Sequence, residues 1–127
     1  MQNTKKEKME KNVTFFHRGK RFSINAKSCN LFEKGIGLMF SRREKAKILI
    51  FEFNKKRKII IHSFFVFFSF VALWINEKNE VVDLKIVKPF TSCVSPSEKS
   101  LSLIEIPINK KNEKIVKNLF SVVSVGD

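Results

Sequence analysis

Apolar and polar residues alternate along this chain in short stretches, punctuated by turn-forming residues, a period that suits strands better than helices. Residues 1–12 carry no apolar stretch and read as a flexible basic tail; the alternation starts at Val13. Residues 13–16 and 21–25 form a predicted hairpin around a turn at 17–20, where Gly19 supplies a permissive φ. Ser28 stands where it can cap a short helix reaching Lys34 and ended by Gly35. Two further hairpins are predicted, 48–53 with 58–61 across the loop 54–57, and 70–75 with 80–87 across 76–79. Pro89 and Pro96 bracket a Ser/Thr-rich loop around Cys93, and 101–107 reads as another strand. Asn109 is placed to cap a helix over 110–120, in which Ile115, Val116 and Leu119 share one face. Together these elements predict a mainly β fold over residues 13–127. It would be a small single-domain β-sandwich or barrel-like sheet with one or two short helices.

The run 59–75 (IIIHSFFVFFSFVALWI) needs separate treatment, because its 17 residues carry no formal charge. That length touches the lower limit for a membrane-spanning helix, roughly 17–25 residues, and a basic flank at 55–58 precedes it. Its β-branched and aromatic composition instead favours a pleated surface, and His62, Ser63 and Ser69 would each need a partner in lipid. Strands buried on both faces are the favoured assignment, since such strands read as unbroken apolar runs.

Composition narrows the class. A chain of 127 residues is one domain, and 43% hydrophobic residues with 14 Phe exclude global disorder. Two cysteines, Cys29 and Cys93, are too few for a disulfide scaffold and form no CxxC pair. With no apolar core for a signal peptide in the tail, the expected setting is cytoplasmic and the expected thiols are free. The net charge is +13, and the first 58 residues hold +12 of it. An anionic partner follows as one option, with the exposed loop Lys55, Lys56, Arg57 and Lys58 as the candidate contact surface. Lys outnumbers Arg by 20 to five, which disfavours dedicated nucleic-acid recognition, because the Arg fork suits phosphates and bases better.

Candidate chemistry is sparse. His17 and His62 sit in different predicted hairpins, so no metal centre is expected. Gly35-Ile36-Gly37 lacks the lysine and further glycines of a phosphate-binding loop, and no cofactor is implied. No carboxylates are paired for acid–base work. Glu105, flanked by Ile104 and Ile106, is the most notable of them, although an outward-facing strand residue explains it equally well. No catalytic residue is assigned, and the chain is expected not to be an enzyme.

Several motifs recur in a fixed order. They are the segment 26–40 (AKSCNLFEKGIGLMF) ending in Gly37-Leu38-Met39-Phe40, then Ile61-His62-Ser63-Phe64-Phe65, the apolar strand 70–76, and the turn 79–82. Lys88-Pro89-Phe90, Glu105-Ile106-Pro107 and Gly126-Asp127 complete the series. In order and spacing this resembles domain-of-unknown-function family 192, over about residues 13–127. The resemblance implies a compact β fold with short helices and implies no reaction, because that family has no known function. Two Asp of the family pattern fall here on Val71 and Asn76, its Pro on Ser69 and its Gly on Asn109, and Ser41 takes the place of an arginine, with Arg42 and Arg43 following.

The expected function is a binding or accessory module for a small molecule or a protein, docked at a cleft formed by Gly37, Met39, Arg42 and His62. Two alternatives remain open at this point. One is electrostatic nucleic-acid binding through 5–21 and 42–58; the other is membrane attachment through 59–75.

Overall fold

The computed structural model describes residues 10–29 and 37–121. Six strands form one sheet: β1 (Glu10–His17), β2 (Lys20–Cys29), β3 (Leu49–Arg57), β4 (Phe70–Ile75), β5 (Val81–Val87) and β6 (Ser100–Pro107). The spatial order is β1-β2-β3-β6-β4-β5. All neighbours are antiparallel except β2 and β3, which run parallel through Lys27↔Leu49, Ser28↔Ile50 and Cys29↔Phe51. The sheet curls until its two edge strands meet, where Phe16 bridges Glu80 and the Phe16 N–H donates to the Asn79 carbonyl at 2.8 Å. A single helix among the described residues, α1 (Glu113–Ser121), lays Leu119, Ile115 and Val116 against the sheet. The mainly β, barrel-like single domain expected from the alternation is therefore the observed fold.

Local chemistry explains the two hairpins. The β1–β2 turn places Arg18 at φ 52° and Gly19 at φ 81°, the paired positive values of a turn whose twist matches its strands. A Cβ on Gly19 would meet nothing within 4 Å, so only backbone conformation is at stake there. Gly19→Ala is expected to lower stability by about 1 kcal/mol and Gly19→Asn by less, read from thermal midpoints; equal midpoints for all three would refute that account. In the β4–β5 turn, Asn76 Oδ1 accepts the backbone N–H groups of Lys78 and Glu80, both at 2.9 Å, while Asn79 takes φ 64°.

Two apolar clusters fill the two faces of the sheet. One joins Phe51, Phe70, Ala72, Trp74 and Leu103 with residues from the 37–46 and 59–68 segments; the other joins Phe15, Phe22, Ile50, Val71, Leu73, Ile104 and Leu119. β4 is buried along its whole length, as its unbroken apolar sequence predicts.

Several expectations are corrected. β1 begins at Glu10, three residues before the expected strand start, because Glu10, Lys11 and Asn12 pair with Lys27, Ala26 and Asn25. Ser28 does not cap a helix; β2 runs through it to Cys29, held by the parallel ladder to β3, and the rest of that expected helix lies outside the described residues. The hairpin across 54–57 does not form. β3 continues through the basic residues, with a register shift between Glu52 and Arg57, and its antiparallel partner is β6, not 58–61. Only the last six residues of the 59–75 run are a strand. Residues 59–69 wind irregularly over the sheet, touching the 88–99 loop through the Ile61–Val94 bridge. No helix among the described residues is long and apolar enough to cross a membrane. Asn109 Oδ1 accepts the Asn112 N–H at 3.0 Å, so it caps the turn that leads into α1, and the helix proper starts at Glu113.

Candidate ligand cavity

β6 is the central strand, so both of its faces are covered and its alternation sorts residues between them. Ile104 and Ile106 enter one cluster, whereas Leu103 and Glu105 face the other side. Glu105 stands opposite Leu49 on β3 and Ala72 on β4, and it is only 6% exposed. The outward-facing alternative for this residue is thus excluded. Above it passes Gly37, at φ 51°, where an added Cβ would sit 3.5 Å from Glu105 Oε1 and 3.8 Å from the Phe51 ring. Glycine suits that φ, whereas the added Cβ would make only ordinary van der Waals contacts.

These elements enclose a cavity of about 350 Å³. Phe51, Val66, Phe70 and Leu103 supply apolar wall, Gly37, Leu38 and Met39 form one side, and Glu105 lies among them. The exposed lining residues Arg57, Lys58, Ile60 and His62 mark the mouth. Such a volume lies near the lower end for small-molecule sites, roughly 300–1,000 Å³. The Arg57 guanidinium lies 5.1 Å from the centroid of the Phe53 ring, a cation–π contact that holds one charge at this rim. His62 Nδ1 accepts the Phe64 N–H at 3.1 Å, which leaves Nε2 to carry the proton of the neutral ring.

Burial pushes the Glu105 carboxyl up to about 8, and no cation or hydrogen-bond donor pairs with it among the described residues. At neutral pH the group is protonated, and so both donates and accepts a hydrogen bond within an apolar enclosure. A neutral acid deep inside and three nitrogen groups at the entrance can hold a molecule with an apolar body and one anionic end.

The structure thus brings together three of the four expected cleft residues, Gly37, Met39 and His62. Arg42 is exposed on the 42–46 turn, where its carbonyl accepts the Lys45 and Ala46 N–H groups, and it does not line the cavity. The expected anion-contact surface divides. Lys55 and Lys56 stay exposed on β3, with Lys56 paired to Glu77 at 3.2 Å, while Arg57 and Lys58 join the cavity mouth. Sequence reasoning missed Phe51 and Leu103 as lining residues. The available signal was the acid at position 105 in an otherwise apolar strand.

Other features are less suited to a ligand. A more open hollow beside His17 and Leu84 contains Asp83, whose carboxylate is occupied by the Leu84 and Ser97 N–H groups, both at 2.8 Å. Burial, helped by Arg18, lowers the His17 pKa there. Cys29 is buried with its thiol toward the Lys27 carbonyl, and Cys93 is exposed. Among the described residues no three His, Cys, Asp or Glu side chains gather as a metal site.

No protein-family profile matches the chain, and no curated protein matches it either. Solved structures do share its fold. A protein of unknown function from Novosphingobium aromaticivorans superposes with a TM-score of 0.68 at 14% identity, covering 84% of this chain and 79% of its own. A candidate transcription regulator from Sinorhizobium meliloti gives the same TM-score and identity, over 84% of this chain and 85% of its own. The curled six-stranded sheet with its short helix is thus an architecture this chain shares with both of these proteins.

Proposed function

We propose that this protein is a non-enzymatic binding module for a small amphiphile that carries a single anionic group. The apolar body lies against Phe51, Phe70 and Leu103, the anionic end meets Arg57, Lys58 and His62, and Glu105 gives one hydrogen bond inside. The observation that carries this reading is the buried, unpartnered Glu105 carboxyl among the apolar walls of a cavity with a cationic mouth. Membership of family 192 is proposed with it, supported by the order of motifs and by two of them, Gly37-Leu38-Met39 and His62, lining one cavity. A cytoplasmic setting agrees with the two free cysteines.

Octanoate is a suitable probe, followed by calorimetry. It is expected to bind with one-to-one stoichiometry, and Met39→Trp, which fills the cavity from a partly buried wall position, weakens it roughly tenfold or more. Arg57→Glu with Lys58→Glu weakens octanoate but spares octanol. Absence of saturable binding, or indifference to both variants, overturns the proposal.

A second reading is electrostatic binding of nucleic acid. It is favoured by the exposed Lys55 and Lys56 on β3 and by the description of one structural neighbour as a candidate transcription regulator. Retention on DNA would then fall steeply between about 50 and 200 mM salt, and salt-independent retention removes that reading.

A further inference from the structure

Phe40, Phe65 and Phe90 occupy the tips of three separate turns, and all three have left-handed backbone, with φ of 62°, 60° and 58°. For a bulky aromatic residue that is a true outlier, which Asn or Gly would relieve. Packing does not demand phenylalanine at these points, because the side chains are 67%, 47% and 49% exposed. The three tips are nevertheless joined. The Phe40 N–H donates to the Phe65 carbonyl at 2.8 Å, and the Phe90 N–H donates to the Ser63 carbonyl at 2.9 Å. Ser63 is fully buried beneath them; its hydroxyl donates to the Lys88 carbonyl at 2.6 Å and accepts the Thr91 N–H at 2.7 Å. The rings stack or meet edge to face at 5.2 Å for Phe40–Phe65, 6.0 Å for Phe65–Phe90 and 5.2 Å for Phe67–Phe90. Phe67 is 59% exposed and enlarges the apolar crown. The buried Ser63 hydroxyl thus fixes the 88–91 turn that carries Phe90, and the Phe40–Phe65 backbone bond ties the other two tips together.

Basic residues predominate around the crown: Glu44, Asp83 and Glu98 lie just beyond the segments that carry it, 37–43, 54–69 and 84–97, and these segments themselves hold eight Lys or Arg, two of them paired to acids. Among these, Arg42, Arg43, Lys58 and Lys88 are exposed and form no ion pair among the described residues. Aromatic tips inside a basic border match the interface of a bilayer with anionic headgroups, where apolar insertion and charge attraction act together. Single-stranded nucleic acid is a poorer match, because sites for it set aromatic faces along a basic groove, whereas the tip rings stand on turns. We infer that this crown docks the protein on the surface of membranes containing anionic lipid, by the Phe tips entering the headgroup region. The Phe tips do not line the cavity, although Lys58 borders both, and the surface attaches without spanning.

The test is sedimentation of the full chain with vesicles of phosphatidylcholine alone, or with about one-third phosphatidylglycerol. The protein is expected to partition onto the anionic vesicles, less at higher salt. The combined variant Phe40→Asn, Phe65→Asn, Phe90→Asn places a residue that tolerates positive φ at each tip, and should lower partition by roughly tenfold or more. Phe67→Gln, at an exposed position with no such backbone demand, should lower it by about threefold and serves if the triple variant does not fold. Octanoate binding by either folded variant is expected to be unchanged, which separates failure of this inference from failure of the cavity proposal. Equal binding to both vesicle types, no vesicle binding at all, unchanged partition of both variants, or capture of single-stranded DNA in a manner that needs the same Phe residues would overturn it.

Discussion

Raising the pH should destabilise the wild-type protein through Glu105, and Glu105→Gln should abolish that loss. Its carboxyl ionises near 4.5 when unfolded and near 8 when folded. Below about 4.5 both states hold the proton and nothing is lost. Between these values the folded state retains a proton that the unfolded state has released, so stability falls with each pH unit. Above about 8 both states are ionised and the loss is complete, of the order of 5 kcal/mol from the shift alone. Urea-denaturation midpoints across this range test the expectation as a difference between wild type and variant. Burial acts on His17 in the opposite sense, costing stability as pH falls through the imidazole range, and this cancels in the difference. A wild-type-minus-variant difference that stays level from acid to neutral pH would show the carboxyl to be ionised in the folded protein.

Trp74→Ala should be the most damaging single core substitution. The side chain is fully buried on β4, and its indole N–H donates to the Ile59 carbonyl at 2.8 Å. Removing it leaves a cavity costing about 3–5 kcal/mol, and an unpartnered carbonyl adds about 1–3 kcal/mol. A domain of ordinary stability, about 5–15 kcal/mol, would be brought close to unfolding. Trp74→Phe keeps most of the hydrocarbon but loses the hydrogen bond, so its cost should be about 1–3 kcal/mol. Because Ile59 begins the irregular 59–69 segment, that variant should also speed exchange of the Ile61 and Ser63 amides, which donate to Val94 and Thr91. A Trp74→Ala protein that melts within about 1 kcal/mol of wild type would mean the indole is not the anchor described.

Where a turn is specified by its own residues, the sequence was readable. Gly19 marks the first hairpin and Asn76 with Asn79 the last, and the Ile115, Val116 and Leu119 stripe marks the helix. What could not be read depends on partners far along the chain. Nothing local in residues 49–57 tells that their neighbours are β2, in parallel, and β6. Lys55, Lys56 and Arg57 have the composition of a loop, although charged residues also suit the solvent-exposed end of a strand. The 59–69 segment defeated pattern reading for another reason, because its phenylalanines divide between core and surface. Phe68 is buried while Phe64, Phe65 and Phe67 are exposed, so hydrophobicity ceases to report burial. The site shows the same division. Gly37, Met39 and His62 were found through motifs, whereas the inward aim of Glu105 follows only from β6 lying at the centre of the sheet.

The position of β6 also bears on how the molecule is assembled during synthesis. β3 and β4 do not touch as neighbours; the strand that joins them comes after the other five in chain order and so leaves the ribosome after them. β3 can join the β1–β2 hairpin and β4 can pair with β5 early on the nascent chain, but β3 and β4 each keep an unzipped margin until residues 100–107 emerge and are inserted between them. A stalled or prematurely ended polypeptide would therefore expose two sticky half-sheets, the form of intermediate that chaperones retain.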